Sequence, residues 1–216
     1  MIWDIPPDAE NASIIPDDAV QGSDEWLQIR AGKITASRIS DMMAAGSGLT
    51  RQKYQYQLVV ERMTGKPING FKSAAMQRGN DLEPEAREAY EFANLVDVQL
   101  SGFIDHPTID NAGASPDGLV GDDGLVEIKC PDLHTHIGYI LSAKVPTDYF
   151  LQMQWQMAVT GRQWCDFYSY NPDMPVKLRA FQKRVSRDDQ KIAELESAAV
   201  LFNTEINLLI KQLELI

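Results

Sequence analysis

Apolar residues recur at helical spacing through the first part of the chain, break into short alternating runs in the middle, and return to helical spacing at the end. Residues 1–22 are rich in Pro, Asp and Ala without a period and predict an irregular lead-in. After Ser23, the positions Trp26, Leu27, Ile29 and Arg30 predict a short helix closed by Gly32. Thr35 is expected to cap a second helix reaching about Ala45, with Ile39, Met42 and Met43 as its apolar side. A loop at Gly46, Ser47 and Gly48 leads to a third helix over 51–64, ended by Gly65 and Pro67. Residues 73–93 predict a longer helix, broken or kinked where Gly79 and Pro84 fall inside it.

The middle of the chain changes period. Residues 95–105 predict one or two strands, 112–120 another and 124–130 a third, with Gly121-Asp122-Asp123-Gly124 as the turn between the last two. Helices follow over 132–143 and 148–160, the second closed by Gly161. Strands are expected over 164–170 and 176–181, joined by Asn171-Pro172-Asp173, and then a long amphipathic helix over 186–215 capped by Ser186. This order predicts an α/β fold, a mixed central sheet flanked by helices, with residues 23–216 as a single domain that includes the C-terminal helix.

Composition narrows the class. A chain of 216 residues, 44% hydrophobic and 24% charged, is ordinary for a globular protein with one sizeable core. No apolar run approaches the roughly 20 residues that span a bilayer, so no membrane partner is expected. The acidic, proline-bearing N-terminus resembles neither a signal nor a transit peptide, which predicts an intracellular location. Two cysteines, Cys130 and Cys165, make neither a disulfide framework nor a four-cysteine zinc or iron–sulfur site. The net charge of -11 argues against loose coating of DNA, but a groove needs only a local cluster of basic residues.

The chemistry concentrates in SPDGLVGDDGLVEIKCP, residues 115–131. With Asp122 at the centre of the hairpin, Asp117 and Glu127 are equidistant from it and face each other across two antiparallel strands. Opposed like charges are destabilising there, unless a cation sits between them. Mg²⁺ prefers one or two carboxylates, with waters and phosphate oxygens completing its shell. Lys129, two residues beyond Glu127, shares its face, and can orient a water or stabilise charge on a phosphorane-like transition state. Ile128 points into the core, while its backbone carbonyl can still reach a metal. Hairpins also carry acids merely for solubility, but Leu119, Val120, Leu125, Val126 and Ile128 predict burial, where stray charge is costly.

Four ordered blocks, GSDEWLQIRAGKITAS, RGNDLEPEAREAYE, ASPDGLVGDDGLVEIKCP and YFLQMQWQMAVTGRQWCDFYSYNP, make the chain resemble the lambda-exonuclease family of phage recombination nucleases, YqaJ-like members of the PD-(D/E)xK superfamily. The resemblance runs from about Gly22 to Asp173. It implies a restriction-endonuclease-like core and a Mg²⁺-dependent exonuclease, with two ions and Mn²⁺ as a substitute. Such an enzyme digests the 5′-ended strand of linear double-stranded DNA in the 5′ to 3′ direction. It further implies a ring-shaped homotrimer, a single-strand-annealing protein as partner, and the cytoplasm of a bacterial host.

Residue by residue, Asp117 and Glu127 match the family's metal ligands, the Ile128 carbonyl its backbone ligand, and Lys129 its catalytic lysine. Glu83 matches the acid on the helix before the sheet, a helper for a second metal or the water. Gln154 matches the active-site glutamine, with Gln152 ranked behind it. Arg30 and Ser37 match the pocket for the terminal 5′-phosphate, which Ser115 is expected to join. Met76 falls where the family has an apolar wedge into DNA, although Ala74 and Arg78 replace a basic and an aromatic residue nearby. His106, His134 and His136 are expected to be structural or solvated, and Trp26, Trp155 and Trp164 to be core. A structure-specific or restriction-type endonuclease, or a DNA-binding module with an inactive site, remain the alternatives.

Overall fold

The computed structural model describes residues 23–44, 49–68 and 74–216. The 1–22 lead-in and the loop at 46–48 lie outside the described residues. Helix α1, Asp24–Arg30, starts where the Ser23 hydroxyl accepts the Trp26 N–H at 3.1 Å. Asp24 and Glu25 in its first turn and Arg30 in its last complement the helix dipole. Strand β1 is Ile34–Thr35, and helix α2 is Ile39–Met43. Thr35 is therefore not the helix cap it was expected to be: it ends a strand, and a 3-10 turn over Ala36–Arg38 comes between. Helices α3, Leu49–Thr64, and α4, Ala74–Asn94, follow. The break expected at Gly79 and Pro84 does not occur; α4 runs through both as one helix.

The strand block is more divided than its sequence suggests. Strands β2 (Val98–Gln99), β3 (Ile104–Asp105), β4 (Ala112–Ala114), β5 (Gly118–Val120) and β6 (Gly124–Lys129) are followed by helices α5 (Leu133–Ser142) and α6 (Thr147–Thr160). Strands β7 (Trp164–Tyr170) and β8 (Ala180–Ser186) and helix α7 (Asp189–Leu213) complete the chain. The expected strand over 112–120 is two strands in different sheets, because the chain leaves one sheet through Ser115-Pro116-Asp117 before entering the other. The expected strand over 176–181 is a 3-10 turn followed by β8, and α7 is capped by Asp188, whose carboxylate accepts the Lys191 N–H at 3.0 Å, not by Ser186.

Among the described residues two sheets form: a small one in the order β1-β4-β3, and a mixed five-stranded sheet in the order β2-β5-β6-β7-β8. The β6–β7 pair is parallel and is joined by the α5–α6 crossover, as parallel strands require. Alternation along β6 then sorts the two faces. Val126 and Ile128 pack with Ala86 and Tyr90 of α4, while Leu125 packs with Met153 and Met157 of α6. A third cluster joins α2, α3, α7 and the far side of α6 to the small sheet around Trp155 and Phe202. The five-stranded sheet is thus sandwiched between α4 and α6, and the C-terminal end of β6 opens between them.

Candidate active site

The β5–β6 hairpin pairs Gly118 with Val126 and Val120 with Gly124, so its register is centred on Asp122 and carries Asp117 opposite Glu127. Both carboxylates are buried, Asp117 at 6% and Glu127 at 0% exposure. The Ile128 N–H donates to Asp117 Oδ2 at 2.8 Å, which fixes that acid against β6. Lys129 Nζ lies 3.8 Å from Asp117 Oδ2 and in direct contact with Glu127 Oε1. Its ammonium sits 5.3 Å from the centre of the Tyr149 ring.

Burial and the neighbouring Glu127 push the Asp117 carboxyl up to about 8, against the opposing pull of Lys129. Burial acts to lower the Lys129 ammonium, but Glu127 and Asp117 outweigh it and hold the group above its ordinary range. Glu83 is also raised, first by burial, with Lys129 and Arg87 opposing and Glu127 adding to the rise. Three acids and a lysine therefore share one electrostatic environment. Glu83, Asp117 and Lys129 line a cavity of about 340 Å³ together with Met76, Ile128 and Tyr149, and Glu127 lies buried behind Lys129.

No three His, Cys, Asp or Glu side chains among the described residues form a metal-holding group by themselves. The donor set nevertheless fits a hard divalent cation, because such ions need only one or two carboxylates and fill the rest with carbonyl, water and phosphate oxygens. Asp117 is raised because two acids are buried side by side, and a cation between them relieves that repulsion.

The glutamines of α6 are placed differently from expectation. Gln154 does not reach the site: its Nε2 donates to the Ser186 carbonyl at 2.9 Å and its Oε1 accepts the Asp188 N–H at 2.9 Å. It joins α6 to the start of α7. Gln152 Nε2 instead donates to Glu127 Oε1 at 2.7 Å, and Gln156 Nε2 to Glu127 Oε2 at 2.6 Å. Sequence reasoning missed Gln156 and Tyr149; with Gln152 they recur at helical spacing along the face of α6 that meets Glu127 and Lys129.

Arg30, Ser37 and Ser115 come together as expected for an anion pocket. Arg30 donates to Ser115 Oγ at 3.1 Å and to Ser37 Oγ at 3.4 Å, and its guanidinium lies 3.9 Å above the Trp26 ring. Burial lowers Arg30 to about 10, partly offset by Tyr54 and Asp117. Ser115 lies two residues before Asp117, so this pocket and the acid pair share one stretch of chain.

Met76 is exposed at the cavity rim. Arg78 ties α4 to the end of β6, donating to the carbonyls of Cys130 at 3.4 Å and Pro131 at 3.2 Å while pairing with Asp173 at 3.0 Å. His136 is fully buried between Ser169 Oγ and the Leu178 carbonyl, and His106 is buried beside Trp155. Trp155 is core, donating to the Gly113 carbonyl at 3.1 Å, and Trp164 packs half-buried against the α4 cluster beneath Arg184, whereas Trp26 lies under Arg30.

The profile of the YqaJ-like viral recombinase domain matches residues 25–163. An alkaline exonuclease from Laribacter hongkongensis, LHK-Exo, superposes with a TM-score of 0.85 at 47% identity, over 89% of this chain and 96% of that one. A second structure of that enzyme holds dAMP. A phage-related exonuclease from Haemophilus somnus superposes with a TM-score of 0.68 at 13% identity, over 84% of this chain and 96% of that one, a likeness of fold alone. An uncharacterized protein, R354, of Acanthamoeba polyphaga mimivirus is 29% identical over 161 residues, 68% of this chain; the chain spans 28% of that relative's length. The mixed α/β sandwich described above is the restriction-endonuclease-like fold that the sequence implied.

Proposed function

The chain belongs to the YqaJ-like viral recombinase family, the lambda-exonuclease group of deoxyribonucleases, and from that premise we propose that it is a Mg²⁺-dependent exonuclease acting on the 5′-ended strand of linear duplex DNA. Residues 23–216 act as one nuclease domain in this reading. The observation that carries it is the adjacency of two sites of opposite character. The Arg30–Ser37–Ser115 pocket suits a terminal phosphate, and two residues along the chain Asp117 begins a buried acid pair suited to cations.

Asp117, Glu127 and the Ile128 carbonyl would hold the metal, and Glu83, across the cavity, would serve a second ion or the attacking water. Bound there, a divalent cation supplies Lewis-acid activation of the phosphoryl group and a more acidic water. Lys129, anchored by both acids and the Tyr149 ring, places its ammonium where charge grows on the phosphoryl oxygens. Arg30, with the two serine hydroxyls, holds the terminal 5′-phosphate and so sets which bond lies over the acids. Each cut exposes a new 5′-phosphate for the same pocket, which favours processive digestion. Met76, at the cavity rim, is the candidate wedge at the duplex end. A ring of three copies around DNA and an annealing protein that receives the 3′ strand complete the reading; LHK-Exo, solved with dAMP, supports a mononucleotide product.

The test is digestion of a linear duplex labelled on each strand in turn, with 5′-phosphate or 5′-hydroxyl ends. The wild type should release label from the 5′-ended strand and prefer the phosphate. Arg30→Ala should lose the preference and dissociate after few cuts. Full processivity and an unchanged preference in Arg30→Ala would refute the anchor, and release from the 3′ end would refute the polarity.

A further inference from the structure

Glu127 is held by more than its lysine. Its two carboxylate oxygens are assigned to two different amides, Oε1 to Gln152 and Oε2 to Gln156. The two glutamines differ in access. Gln152 is half-buried and shares Oε1 with Lys129, whereas Gln156 is at 0% exposure, on the closed side of the site. Its surroundings are apolar, with Met153, Met157 and Phe167 in the cluster beside it. An amide buried there costs stability unless both its ends are satisfied, so a leucine or methionine would serve the core better. The Nε2 end has Glu127 at 2.6 Å. The Oε1 end faces the Cys165 thiol at 3.9 Å, whose one hydrogen is shared between it and the Asp166 carbonyl at 4.0 Å. Cys165 is itself at 0% exposure, and burial holds it well above the usual thiol range, so it stays a donor. An amide flipped end for end would set Oε1 against a carboxylate oxygen, so the contact with Glu127 fixes its orientation.

We propose that Gln156 is a positioning residue for the reaction: it fixes the direction in which Glu127 presents its carboxylate to the cation, and the Cys165 thiol fixes Gln156 in turn. The inference rests on the reading of Asp117 and Glu127 as the cation-holding acids. Gln152 is the weaker of the two restraints, because it is half-buried and solvent can replace its amide, whereas Gln156 is fully buried. Loss of Gln156 leaves Glu127 Oε2 without a donor and the carboxylate held through Oε1 alone. Partners of this outer kind are typically worth about 10–100-fold in metal affinity.

The experiment is thermal unfolding of the full chain without DNA across a Mn²⁺ titration, where stabilisation reports binding to the folded state. Steady-state kinetics on 5′-phosphorylated duplex accompany it. Gln156→Met should raise the half-saturating Mn²⁺ concentration at least about tenfold and lower kcat, with KM for DNA within about twofold of wild type. Cys165→Ala should raise the Mn²⁺ midpoint about threefold. A Gln156→Met protein with the wild-type midpoint overturns the proposal. Should that variant show no cooperative transition, Cys165→Ala decides, and a wild-type midpoint there overturns it equally. A wild type whose unfolding ignores Mn²⁺ removes the metal site and this inference with it, whereas a responsive wild type beside an equally responsive Gln156→Met removes this inference alone.

Discussion

Asp117 sits where a carboxylate is poorly tolerated without a cation, buried and opposite a second buried acid. Its carboxyl moves from 3.8 to about 8 on folding, so the folded chain keeps a proton that the unfolded chain has released. Between those values stability falls as pH rises, because the unfolded state binds fewer protons than the native one. Asp117→Asn keeps an oxygen for the Ile128 N–H and removes the charge. The metal-free variant should melt higher than wild type at pH 8, by about 3 °C or more, and the gap should close toward pH 4, while nuclease activity is lost. Thermal scans in a chelator check this, and an equal or lower Tm at pH 8 contradicts it. The glutamines separate in the same way. Gln154→Leu orphans the Ser186 carbonyl and the Asp188 N–H and should cost about 1–3 kcal/mol of stability, with the Mn²⁺ midpoint unmoved. Denaturant titration of the apoprotein measures the first, and a shifted Mn²⁺ midpoint would return Gln154 to the site. Which glutamine faces Glu127 was not legible in the chain. Residues 153–159 of α6 are all buried, so no polar stripe marks the face that meets β6.

At the scale of elements, the β5–β6 hairpin was legible, because Gly121 to Gly124 punctuates two alternating runs and the register follows from its centre. Gly121 adopts φ +52°, and a Cβ at Gly124 would come within 2.0 Å of the Trp164 ring, so the hairpin's glycines serve both turn and packing. Helix α4 defied the break expected at Pro84 because packing of Ala86 and Tyr90 on the sheet continues past it. Of the small sheet, β3 and β4 fall within stretches expected as strand, but β1 was not legible, since it is two residues long and pairs with β4 across distant chain. That sheet packs against α6 and α7 at His106. Its Nδ1 accepts the N–H groups of Thr108 at 3.3 Å and Ile109 at 3.2 Å, leaving Nε2 toward Glu196 at 3.3 Å, beside the Trp155 ring. Burial lowers His106, with Glu196 opposing, so the fold holds it neutral. As pH drops below 6.5 the unfolded chain takes a proton that the folded one resists, and stability is lost. His106→Gln should show a shallower fall in Tm between pH 7 and pH 5 than wild type; an equally steep fall would contradict this role.

For the whole molecule, the net charge of -11 makes the local arrangement decisive for the proposed function: DNA would meet the Arg30 pocket beside the acid pair. Family and fold were legible because four motif blocks fall in order, and Arg30, Ser37 and Ser115, widely spaced in sequence, do meet in space. The trimer stands on the resemblance alone, because contacts between copies leave no period in one chain. The central claim is that Asp117, Glu127 and Lys129 cut DNA only from an end presented by the Arg30 pocket. It is tested most directly by incubating linear and covalently closed circular duplex of the same sequence with Mg²⁺ and either wild type or Lys129→Ala. The expected result is loss of the linear form alone with wild type, and of neither form with the variant. Cutting of the closed circle, or digestion by Lys129→Ala at the wild-type rate, would contradict it.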